Sequence, residues 1–131
     1  MSSRPGKFIT AVVDDDRRVL ESLEDLLESA GHGVRLFVSA AALLESGSLA
    51  DIDCLISDID LPTIDGFELL RLASAARPQL PIILITGHAD MAKRFRAGAP
   101  SCYRLFEKPF DGREMLVAVS GALQRPTRDT A

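Results

Sequence analysis

No stretch of this 131-residue chain approaches the roughly 20 consecutive apolar residues of a membrane span. The beginning, MSSRPGK followed by FITAVV and three aspartates, also lacks the long apolar region of a secretory signal, so a cytoplasmic protein with no membrane association is expected. Cysteine is scarce too. Cys54 and Cys102 lie inside the apolar runs CLIS and CYRLF, with no CxxC pair and no His-Cys cluster at metal spacing. That pattern points away from a disulfide scaffold or thiolate metal site and towards two small core residues. The two histidines, His32 and His88, have no ligand partners at useful spacing. Basic charge is in deficit, with 15 Lys and Arg against 19 Asp and Glu and a formal net charge of -4. Arg113, Arg125 and Arg128 are too dispersed to make the basic face that direct nucleic-acid binding requires.

What is present is ordinary globular composition, 47% hydrophobic and 26% charged, at a length that suits one substantial core and not two. The expected organisation is a tail over 1–6, one folded unit over 7–124, and a tail or the start of a linker over 125–131. Residues 7–13, KFITAVV, contain β-branched and aromatic residues without Pro or Gly and read as a buried strand. From Arg17 the period changes. Val19, Leu20, Leu23, Leu26, Leu27 and Ala30 recur at helical steps, with Asp15 or Asp16 able to cap the start and Gly31 standing where a C-cap would. VRLF gives a second strand, and Ser39 caps a weaker second helix through Ala40, Leu43 and Leu44. IDCLIS is a third strand that runs to Asp58, and DLPTIDG, with Pro62 and Gly66, must be a loop. Phe67, Leu69, Leu70, Leu72 and Ala73 form a helical stripe that stops before Pro78. PIILI is the fourth strand, residues 88–100 a short helix, CYRLF the fifth strand, and Phe110, Met115, Leu116, Val119, Ala122 and Leu123 the face of a fifth helix. Strands alternating with helices point to an α/β fold, a doubly wound parallel sheet with helices on both faces.

Four of these apolar runs end in polar residues of different kinds: Asp14, Asp15 and Asp16 after FITAVV, Asp58 after CLIS, Thr86 after PIILI, and Lys108 after YRLFE. An open α/β sheet binds ligands at the carboxyl ends of its strands, so these groups converge on one edge. Each has a bland explanation. Aspartates favour the first turn of a helix, a polar residue commonly stops a buried strand, Thr-Gly is a turn, and an exposed lysine before proline is frequent. Capping, however, needs no additional carboxylates, and adjacent like charges at a desolvated strand end repel unless a cation neutralises them. Carboxylates can hold Mg²⁺ and supply a nucleophile to phosphorus, while a hydroxyl and an ammonium can receive phosphoryl oxygens. As a set, the bland account needs four coincidences.

The segments VVDDD (12–16), LISDIDLPTIDG (55–66), LITGH (84–88) and FEKPF (106–110) resemble the receiver domain of two-component response regulators. The likeness covers residues 7 to about 124, and the separations agree: 43 residues from Asp15 to Asp58, 28 to Thr86 and 22 to Lys108. The resemblance implies a flavodoxin-like sheet of five strands in the order 2-1-3-4-5 with five helices. It also implies that Asp58 is the phosphoacceptor, that Asp15 holds Mg²⁺ directly and Asp14 largely through water, and that the backbone carbonyl of Asp60 adds a metal contact. Thr86 and Lys108 would meet the phosphoryl group, and the Lys108-Pro109 bond would be cis. The implied partner is a sensor histidine kinase or phosphotransfer protein, with the fourth helix, fifth strand and fifth helix as a switching face that could also pair two copies.

One departure concerns that face. The family's aromatic switch position, three residues before the lysine, is Leu105 here; Tyr103, two residues earlier, would share its side of the strand because side chains alternate along a strand. AGAPSC is irregular as well, with Pro100 in the expected last turn of the fourth helix. Two other functions compete. CLISDIDLPT resembles the aspartate-x-aspartate loop of haloacid-dehalogenase-like phosphatases, with Asp58 as nucleophile and Asp60 as general acid, although that family places it after the first strand. An unphosphorylated receiver-like binding module is the third.

Overall fold

The central strands are the most apolar segments of the chain, and burial explains why. The computed structural model describes residues 7–88 and 102–124. Its elements run β1 (Ile9–Val13), α1 (Arg17–Ser29), β2 (Gly33–Phe37), α2 (Ala40–Ser46), a 3₁₀ turn (Ser48–Ala50), β3 (Cys54–Asp58), α3 (Gly66–Ala76), β4 (Ile82–Thr86), β5 (Arg104–Glu107) and α4 (Gly112–Leu123). All strand pairings are parallel and the order is β2-β1-β3-β4-β5, as expected. Every residue of β3 and β4 is buried, whereas the edge strands β2 and β5 are only partly covered. A parallel sheet with helices on both faces demands this pattern. The described residues hold four α-helices; the helix expected over 88–100 falls mostly on 89–101, outside the described residues.

Alternation along the strands sends side chains into two cores. Ala11, Val13, Leu55, Ile82 and Leu84 meet Leu43 of α2 and Leu69 and Ala73 of α3. Val12, Ile56, Ile83, Ile85 and Phe106 meet Leu20, Leu23 and Leu27 of α1 and Met115 and Val119 of α4 on the other face. Short polar residues start each helix by accepting a backbone N–H: Asp16 from Arg18, Ser39 from Ala42, Asp65 from Glu68 and Asp111 from Arg113. The end of α1 is a Schellman closure. Gly31, at φ +91°, lets His32 N–H reach Leu27 O at 3.1 Å and its own N–H reach Glu28 O at 3.0 Å.

All five strands begin one or two residues away from the expected positions. Lys7 and Phe8 precede β1, and Cys102 and Tyr103 precede β5. The shift at β5 reverses a side chain. Leu105 packs with the α2–α3 core, but Tyr103 packs with the α1–α4 core on the opposite face. Because Tyr103 lies ahead of the strand, strict alternation does not govern it, and Gly121 of α4 leaves room: a Cβ there would sit 3.0 Å from the Tyr103 hydroxyl. Tyr103 therefore does not share the side of Leu105.

Candidate functional site

In this strand order the chain leaves β1 for one edge of the sheet and returns to build the rest from β3, so the crevice opens between the carboxyl ends of β1 and β3. Asp14 follows β1 and Asp58 ends β3. Both are buried, at 1% and 3% exposure. Asp15 is exposed, yet one carboxylate oxygen from each of Asp14, Asp15 and Asp58 lies within 4.8 Å of the others. The three aspartates after β1 thus divide their work. Asp16 caps α1, Asp15 faces solvent at the cluster, and Asp14 turns inward.

Asp14 is held by its own loop: its N–H donates to Phe37 O at 3.1 Å, and its Oδ1 accepts Asp16 N–H at 2.9 Å. Its Oδ2 is buried and accepts no hydrogen bond. Lys108 Nζ is 3.4 Å away, close enough for charge attraction but without hydrogen-bond alignment. Burial drives the Asp14 carboxyl above the ordinary carboxylate value; the Asp16 N–H opposes this, the charge of Asp58 adds to it, and Lys108 opposes it again. Asp58 has both oxygens engaged. Oδ1 accepts Asp60 N–H at 3.0 Å, and Oδ2 accepts Lys108 Nζ at 3.1 Å.

Lys108 belongs to the same edge through its backbone, since its N–H donates to Thr86 O at 2.7 Å. Burial pulls the ammonium pKa down, but the hydrogen bond to Asp58 and the charges of Asp14 and Asp58 outweigh it and raise the value. The Lys108-Pro109 peptide is cis. Thr86 is fully buried, and its Oγ1 accepts His88 N–H at 3.0 Å. The loop after β3 is fixed by Ile59 N–H to Ile85 O at 2.8 Å and Gly66 N–H to Ile59 O at 2.9 Å, and it carries Thr63 at φ +65°, unusual for a β-branched residue.

All the residues singled out in the sequence therefore meet at one edge. His88, which has no ligand partner at useful spacing along the sequence, joins this edge through the fold: its Nε2 is 3.7 Å from Asp60 Oδ2. The available signal was positional, because Asp60 and His88 each stand two residues beyond the ends of the neighbouring strands β3 and β4. A hard divalent cation fits this set, since it wants oxygen ligands and the buried Asp14 Oδ2 is an acceptor with no donor. Beside the cluster, a groove of about 630 Å³ runs between α1 and the loop after β5, bordered by Arg18, Val19, Gly87, Lys108 and Phe110. The phosphatase arrangement is not met: Asp58 ends the third strand, and Asp60 turns its carboxylate towards His88.

Known proteins share both the fold and the sequence pattern. The family model for the response regulator receiver domain matches residues 10–120. The chain is similar to the transcriptional regulatory protein FixJ of Azorhizobium caulinodans, 40% identical over 121 residues that cover 92% of this chain and 57% of that protein. It is similar to the response regulator protein TodT of Pseudomonas putida, 35% identical over 124 residues, covering 95% and 54% respectively. A response regulator receiver domain protein from Clostridium thermocellum matches in structure with a TM-score of 0.82 at 26% identity, covering 90% of this chain and 95% of that one. The chain spans little more than half the length of these two curated relatives. A match from residue 10 to residue 120 leaves only the two ends outside it, so the chain belongs to the response regulator receiver domain family.

Proposed function

We propose that this domain is a phosphoryl-operated switch in which Asp58 accepts a phosphoryl group from a histidine kinase or phosphotransfer protein. The observation that carries this is the buried Asp58 carboxylate, bonded to Lys108 Nζ at 3.1 Å and clustered with Asp14 and Asp15. Asp14, Asp15 and Asp58, with the backbone carbonyl of Asp60, would hold Mg²⁺, which when bound neutralises phosphoryl oxygens. The Asp58 carboxylate forms the new P–O bond as the donor's P–N bond breaks, and the imidazole nitrogen leaves with the electron pair. Lys108 compensates the added negative charge, and Thr86 can donate its hydroxyl to a phosphoryl oxygen. The groove beside Arg18, Val19 and Phe110 gives the donor a route to Asp58.

The domain acts on itself and not on a diffusible product, so it is a signalling module with self-catalysed loading and unloading. A cytoplasmic location suits such a donor, and no helix among the described residues is long and apolar enough to cross a membrane. The folding unit runs over 7–124, with 1–6 and 125–131 as flanks. β5 and α4 supply the readout face for a partner or a second copy, and the exposure of Val117 supports this. Incubation with acetyl phosphate and Mg²⁺ adds one phosphoryl mass to the wild type and none to Asp58→Asn. Equal labelling of both proteins would sink the assignment.

A further inference from the structure

A chain of contacts crosses the mouth of the site without belonging to the metal ligands or the nucleophile. Thr86 Oγ1, among the described residues, bonds only to His88: it accepts the His88 N–H at 3.0 Å and lies 3.4 Å from the His88 carbonyl. This is the local side-chain turn that Ser and Thr form two residues ahead of a backbone N–H. The His88 imidazole then reaches the adjacent loop, 3.7 Å from Asp60 Oδ2, and Asp60 donates its N–H to Asp58 Oδ1 at 3.0 Å. Asp58, Asp60, His88 and Thr86 thus form a chain of contacts over the ends of β3 and β4.

We infer that His88 is a positioning residue that clasps the β3 and β4 loops together in the unloaded protein, and that loading Asp58 opens this clasp by drawing the Thr86 hydroxyl away. The inference rests on Asp58 being the phosphoacceptor. A threonine side chain occupies discrete staggered wells, so turning Oγ1 from His88 to a phosphoryl oxygen is a rotamer exchange and not a small drift. That exchange strips His88 N–H of its acceptor. His88 is exposed, so water can take the freed N–H and the opening is not prohibitive. The side-chain contact to Asp60 is likewise weak and solvent-facing, which suits an element that must yield. The relay passes through Thr86, His88 and Asp60 and needs no aromatic at position 105, where Leu105 stands, with Tyr103 on the other face of the sheet.

The test uses the full chain, ¹⁵N-labelled, with Mg²⁺ and beryllofluoride as the phosphoryl mimic. Loading accelerates amide exchange at His88 by about tenfold. In Thr86→Val, which keeps the shape but lacks the hydroxyl, His88 exchanges fast before loading and loading adds nothing. His88→Ala keeps the N–H but loses the clasp, and binds beryllofluoride roughly 2- to 5-fold tighter; His88→Gln restores wild-type affinity. Bound fluorine signals with an unmoved His88 amide, or unchanged affinity in His88→Ala, would overturn the clasp while leaving Asp58 as acceptor. Absence of bound fluorine signals from the wild type would overturn the acceptor assignment and the clasp with it.

Discussion

Asp14 shows how one carboxylate can be both expensive and useful. Its pKa is raised, chiefly by burial, so the folded state keeps a proton over an interval where the unfolded chain has released it. Stability is therefore lost as pH rises from the ordinary carboxylate value through the raised one, and at neutral pH the metal-free protein bears the cost of an ionised buried acid. Asp14→Asn is expected to stabilise the metal-free protein by about 1 kcal/mol, a few degrees in Tm, and to weaken Mg²⁺ binding by at least about tenfold. Thermal melts in chelator and a Mg²⁺ titration measure the two opposite effects. His32 gives the complementary case. Burial lowers its pKa, so the unfolded chain binds the proton first as pH falls below about 6.5. Urea stability should drop below that pH and level off beneath the lowered value; His32→Asn should flatten this step. That three aspartates stood after the first strand was plain in the sequence, but not whether Asp15 or Asp16 would cap, because both suit a helix start. Asp16 caps because its extended backbone (φ -97°, ψ 111°) immediately precedes α1.

At the scale of elements, the start of α3 is locked to the acceptor loop by a missing side chain. A Cβ on Gly66 would lie 2.5 Å from Ile59 Cα and 2.6 Å from Asp58 O, both backbone atoms with no rotamer to retreat into. Gly66 does not have a positive φ, so the constraint is space and not conformation. Gly66→Ala should cost about 1–3 kcal/mol and slow phosphoryl acceptance by shifting Asp58; Gly87→Ala, where no atom lies within 4 Å of the added carbon, is the control, within about 0.5 kcal/mol. Urea melts and acetyl phosphate loading read both. Gly66 was legible only as a turn residue, since its crowding comes from Ile59, seven positions earlier, folding back over it. The fifth strand was harder. CYRLF, broken only by Arg104, carries no clear period that could set its first residue or the face of Tyr103. The pairing of Ile83 with Arg104 sets the start, and the gap at Gly121 sets the side chain.

At the scale of the whole molecule, one sheet separates two cores, and each core draws on β1, β3, β4 and β5. Neither can be lost alone, so unfolding should be a single transition, coincident by circular dichroism and fluorescence of Tyr103. A fragment of residues 7–124 should unfold within about 0.5 kcal/mol of the 131-residue chain, because the cores lie within it. A loss of several kcal/mol would move the boundaries of the folding unit outward. The order of apolar runs, the cap at Ser39, and the polar residues that end four of those runs follow from the sequence alone. They depend on local preference and on the solvent's exclusion of apolar surface, both properties of short segments. Only the tertiary structure decided that Asp14 is buried with one oxygen unpaired, that Asp60 and His88 meet, and that Tyr103 and Leu105 part to opposite faces. Those outcomes depend on which strands lie side by side and how far each loop carries its residues past the sheet edge, distances that no single segment contains.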